Sequence, residues 1–157
     1  MRSERPILPS VLDRLIDLEP KLREDSAISR AQSIRDLKTS LQRDLEWLLN
    51  TRRIAGGLAE TAEELKNSLY YYGLPEFTQL GLSTAQDVLA QHMEEAIRTF
   101  EPRLASVRVS ARHVEGLDRM AHFTIEAILL IDPVPERVAF DTALELTKGE
   151  YKVRGES

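Results

Sequence analysis

The chain has 157 residues, 42% of them hydrophobic and 30% charged, a balance that suits one soluble domain built around a single core. It contains no cysteine, which excludes disulfides, thiolate metal sites and a cysteine nucleophile. A formal net charge of -5, with Lys and Arg scattered among more numerous acids, supplies no basic stripe for nucleic acid, and no apolar run approaches the roughly 20 residues that span a bilayer. The expected partners are therefore proteins. The opening MRSERPILPS has no segment of signal-peptide length, so the expected location is the cytoplasm.

Ser10 precedes VLDRLIDLEP, where Val11, Leu12, Leu15 and Ile16 recur at helical spacing until Pro20 stops them. This predicts a short helix and linker over 1–25, followed by one domain over 26–157. A long stripe, Ile34, Leu37, Leu41, Leu45 and Leu48, marks the main N-terminal helix, which fades after Arg52 and Arg53 and ends by Gly56 and Gly57. Trp47 lies off that stripe and needs cover, either from another element of the domain or from a protein partner. Thr61 and Glu64 have capping-box spacing ahead of LKNSLYYYG, which predicts a short helix and an aromatic turn closed by Gly73 and Pro75. Ser83 and Gln86 cap a second long helix, with Ala85, Val88, Leu89, Met93, Ala96, Ile97 and Phe100 on its apolar face and His92 among them as a packing residue.

Beyond Phe100 the period changes from 3.6 to 2. Val107, Val109 and Ala111 form one alternating set, Phe123 to Ile131 a second, Val138 to Leu146 a third, and GEYKVR a short last strand. Turns fall at GLD (116–118) and DPVPE (132–136). Helices first and strands afterwards predict an α+β fold, with the N-terminal helices on one face of a mainly antiparallel C-terminal sheet of three to four strands.

No catalytic residues, cofactor or metal site can be named. There is no G-x-S-x-G elbow, no phosphate loop, and no ligand spacing among His92, His113 and His122. Acidic pairs such as Glu94 with Glu101, or Glu115 with Asp118, have no motif around them and are taken as solvated charge.

The joint EEAIRTFEPRLASVRV holds one further feature. Proline pushes the residue before it out of the α region, so the helix is expected to end near Phe100 with Glu101 extended and Pro102 opening the strand. Alternation would then set Glu101 and Arg103 on one side, carboxylate beside guanidinium. Two readings follow: a hinge whose charges neutralise each other, or a pair that docks on a partner and is partly solvated in the free subunit.

FEPRL after a helix resembles the Glu-Pro-Arg signature of the phage baseplate wedge family, also called lysozyme-like. RPILPSVLDRLIDLEP, RDLEWLLNTRR, SLYYYGLPEF and FTIEAILLIDPVPERVAFDTALELTKGEYKV narrow the likeness to the TssE family of type VI secretion baseplate wedge subunits. Tyr71 departs from it, standing where many relatives carry asparagine. The resemblance implies a structural, non-enzymatic subunit in each wedge, in the cytoplasm near the inner-membrane face without membrane insertion. Its implied partners are the other baseplate wedge proteins and contractile sheath subunits. Glu101, Pro102 and Arg103 would hold it to the wedge's central helical bundle, and a sheet edge would pair with the first sheath ring. Trp47, and Tyr151 and Val153 on the short last strand, complete the expected partner-binding residues. Two alternatives accompany this reading: a regulatory anti-adaptor of the same fold, and a lysozyme-like hydrolase.

Overall fold

The computed structural model describes residues 30–53, 63–76, 82–112 and 120–155, together with Leu15. The expected first helix, the Gly56–Gly57 stop, Thr61 and the GLD turn lie outside the described residues. Helix α1 spans Arg30–Asn50 and α2 spans Leu82–Phe100, with two 3-10 turns, Glu63–Asn67 and Leu69–Tyr71, between them where one short helix was expected. Four strands follow: β1 Leu104–Arg112, β2 Met120–Leu129, β3 Glu136–Glu145 and β4 Glu150–Gly155. They form an antiparallel meander in the order β1-β2-β3-β4. The α+β class is as expected, with both helices on one face: α1 packs on β4 and α2 on β1.

The core lies between these layers. Leu37, Leu41, Leu45, Leu48 and Leu49 come from α1, and Leu89, Met93, Ala96 and Ile97 from α2. Phe123, Ile125, Leu129, Phe140 and Leu144 supply the sheet face, and Tyr151 and Val153 of β4 are buried with them. The opposite sheet face carries the polar alternates, including the exposed Arg112, Thr124 and Asp141 group. Leu146, expected to continue the third apolar set, is exposed because β3 has already ended at Glu145.

The joint departs from expectation in its backbone. The helix does end at Phe100, yet the Glu101 N–H still bonds to the Ile97 carbonyl, and the Leu104 N–H bonds back to Glu101. Pro102 and Arg103 are thus the central residues of a turn, and the strand opens at Leu104. A bulge follows between Ala105 and Arg108, with Ser106 at φ 53. It resets the alternation, so that Leu104 and Val107, three apart, both face the core while Val109 and Ala111 are only half-buried.

Candidate docking site around Arg103

The turn brings Arg103 back onto the residue that precedes the proline. Arg103 Nε donates to Glu101 Oε1 at 2.7 Å and Nη2 to Glu101 Oε2 at 2.6 Å, a two-pronged fork, while the Arg103 backbone N–H also reaches Oε1 at 3.2 Å. The expected pair therefore forms, by a turn rather than by strand alternation. Its third member was not expected: Arg103 Nη2 donates to Asp44 Oδ2 of α1 at 2.7 Å. One guanidinium is thus clamped between carboxylates from α1 and from the end of α2. Hydrogen bonding to Glu101 raises its pKa, with burial opposing and Asp44 adding to the rise, so Arg103 is permanently charged. Its Nη1 is buried with no hydrogen-bond partner among the described residues.

Exposure separates the three groups. The Glu101 side chain is 8% exposed, that of Asp44 22% and that of Arg103 27%. Partial solvation of the pair thus holds for Arg103 but is corrected for Glu101, which belongs to the interior.

A cavity of about 320 Å³ opens over this clamp, lined by Asp44, Leu48, Tyr72, Phe100, Pro102 and Arg103. Tyr72 arrives because its segment is tied to the end of α1, with the Leu74 N–H on the Thr51 carbonyl and the Arg53 N–H on the Leu74 carbonyl. The tie needs Gly73, which has φ 103 and where a Cβ would collide with the Thr51 carbonyl. Tyr72 meets Phe100 edge to face, with centroids 5.3 Å apart. Burial first, then the Asp44 and Glu101 carboxylates, push its hydroxyl pKa up, so it stays a neutral donor.

Trp47 extends the surface by one turn of α1. It is 51% exposed, so of its two expected covers the one from another element of the domain is not provided; the Arg43 guanidinium lies 5.1 Å from its ring centroid. Arg43 in turn donates to Asp44 Oδ1 at 3.0 Å, so Glu101, Arg103, Asp44, Arg43 and Trp47 form one connected set.

Tyr151 and Val153 are not part of it. Both are 2% exposed, packed under α1. The last strand is not the open edge that its shortness suggested: the Tyr151 N–H and C=O bond to Asn50, the Val153 C=O to Gln42 and the Val153 N–H to Glu46.

Sequence reasoning missed Asp44, Arg43 and Tyr72 as members of the site. RDLEWLLNTRR and SLYYYGLPEF contain them, but a sequence separation of 59 positions between Asp44 and Arg103 hides the contact. Among the described residues no group of three His, Asp or Glu could hold a metal ion, and no helix is long and apolar enough to cross a membrane.

No curated protein matches the chain. Among solved structures it is similar to a chain of "The baseplate complex from the type VI secretion system", at 15% identity and a TM-score of 0.49, covering 69% of this chain and 94% of that one. The family model described as Baseplate wedge protein gp25 matches residues 35–134. That span is well over half of the chain and runs from α1 through β2, with Asp44, Trp47 and Glu101, Pro102 and Arg103 inside it. The chain belongs to the gp25 family of baseplate wedge proteins.

Proposed function

We propose that the chain is a structural, non-enzymatic subunit of a type VI secretion baseplate wedge. In this reading it docks on the wedge's central helical bundle through Pro102 and Arg103, with the buried Glu101 holding the Arg103 fork in place and Trp47 on the same surface, and offers a sheet edge to the first contractile sheath subunits. It works in the cytoplasm, near the inner membrane, without inserting into it. Family membership supports the baseplate role, and the four sequence blocks that resemble TssE support the type VI assignment.

The observation that carries the docking reading is that the motif is built into a surface. Pro102 is exposed, Arg103 is partly exposed beside an open cavity, and a half-exposed tryptophan is linked to it through Arg43 and Asp44. A charged fork beside an aromatic anchor is the kind of patch that concentrates binding energy. Co-expression with the other wedge proteins tests it: the chain is expected to co-elute with them on size exclusion, and Trp47→Ala to weaken the complex about tenfold or more without changing the fold. A wild-type chain that elutes alone contradicts the proposal.

A further inference from the structure

The sheet has two edges, and helix side chains reach both, but not to the same extent. On β4 all four outward backbone groups of Tyr151 and Val153 are taken by Gln42, Glu46 and Asn50, at 2.7 to 3.3 Å. On β1 the coverage is thinner. Arg98 Nη2 donates to the Val107 carbonyl at 3.0 Å, and the Val109 N–H donates to Glu94 Oε2 at 3.0 Å. Glu94 and Arg98 are themselves an ion pair at 2.7 Å, with the Arg98 side chain 55% exposed.

Beyond Val109 the cover stops. In an antiparallel strand the N–H and C=O of one residue point to the same side, and that side alternates along the chain. With the Val109 N–H directed outward to Glu94, both groups of Ala111 are outward too. Among the described residues no partner meets either of them, or the Val109 carbonyl. Beside this stretch lies a groove of about 900 Å³ between β1 and α2, lined on the helix by Asp87, Gln91, Glu94, Glu95 and Arg98. Three carboxylates face one guanidinium there, and that guanidinium is already paired with Glu94.

We infer that the outer edge of β1, over residues 109–111, accepts an extended, basic polypeptide segment that lies in the groove against α2. Backbone pairing supplies the affinity, Asp87 and Glu95 take basic side chains, and the Glu94–Arg98 pair is a clasp that the incoming strand displaces from Val109. β4, sealed by α1, is the closed edge. The inference rests on the sheath-pairing reading, and adds which edge is used and what the incoming strand carries.

Ala111→Pro is the direct test. It removes an outward N–H and leaves the ladder to β2 intact, the one kind of strand position that tolerates proline. Asp87→Lys with Glu95→Lys reverses the groove charge without touching the strand, and decides the matter should the proline variant fold poorly. Baseplate complexes carrying each variant are mixed with sheath subunits, and sheath recruitment is scored against the wild type. The expected result is at least a tenfold loss in both variants, with the wedge complex intact on size exclusion. Wild-type recruitment with either folded variant overturns the β1 assignment alone. Failure of the wild-type baseplate to recruit sheath overturns the sheath reading itself, and this inference with it.

Discussion

At the scale of single residues, burial decides what the clamp costs to disturb. Glu101 is sealed inside while Arg103 and Asp44 reach the surface, so a change at Glu101 tests the interior and a change at Arg103 tests both interior and surface. Removing one partner of a buried pair leaves an uncompensated charge and costs on the order of 3 to 5 kcal/mol, whereas an exposed pair costs about 1 kcal/mol or less. Arg103 lies between these limits, with two carboxylates depending on it. Tyr151 offers a separate test at this scale. Burial pushes its hydroxyl up to about 12 from an ordinary value of 10.0, against the opposing pull of Arg52, whose guanidinium lies 5.7 Å from the ring centroid. The folded state therefore holds this proton more tightly than the unfolded chain. The resulting stability is complete below pH 10 and is lost as pH rises from about 10 to 12. Tyr151→Phe is expected to flatten that loss, by roughly 2 kcal/mol, in urea unfolding measured across the same window. An unchanged alkaline slope would show that the hydroxyl is not held neutral by the fold.

At the scale of elements, α1 does two jobs from two faces. Its leucine stripe fills the core, and Gln42, Glu46 and Asn50, four residues apart and so in one row, replace a neighbouring strand along β4. A helix that seals a sheet edge in this way also prevents uncontrolled pairing there. Asn50 carries two of those bonds, so Asn50→Ala should destabilise the domain by about 1 to 3 kcal/mol, read as a lower urea midpoint. An unchanged midpoint would mean that the β4 edge is not sealed by Asn50. These elements also show what the sequence made legible. The leucine stripe and the three alternating strand sets were visible because their periods, 3.6 and 2, are set by which face is buried. The bulge at Ser106 was not: it depends on how β1 registers against β2, and VRVSAR alternates as cleanly with a bulge before it as without. The last strand was found, but its sealed edge was not, because polar side chains at 42, 46 and 50 look like an ordinary solvent-facing helix surface.

At the scale of the whole molecule, one sheet edge is closed, the other is lightly clasped, and Arg103, clamped between two carboxylates, reaches the surface at the junction of α1 and α2. The Glu-Pro-Arg motif was legible as a local signature, and even its internal ion pair was foreseeable. Asp44 and Tyr72 were not, since only the packing of α1 and the Gly73 tie brings them to it. On the proposed reading, this clamp holds a partner as well as the fold. Arg103→Lys tests it most directly, because lysine keeps the charge that the two carboxylates need and loses the fork. A thermal melt of the isolated variant is set beside its affinity for the wedge proteins. The expected result is a melt lowered by only a few degrees, corresponding to about 1 kcal/mol, with wedge binding weakened about thirtyfold or more. Native-strength binding, or binding lost only in proportion to the unfolded fraction, would contradict it and leave Arg103 as an internal brace.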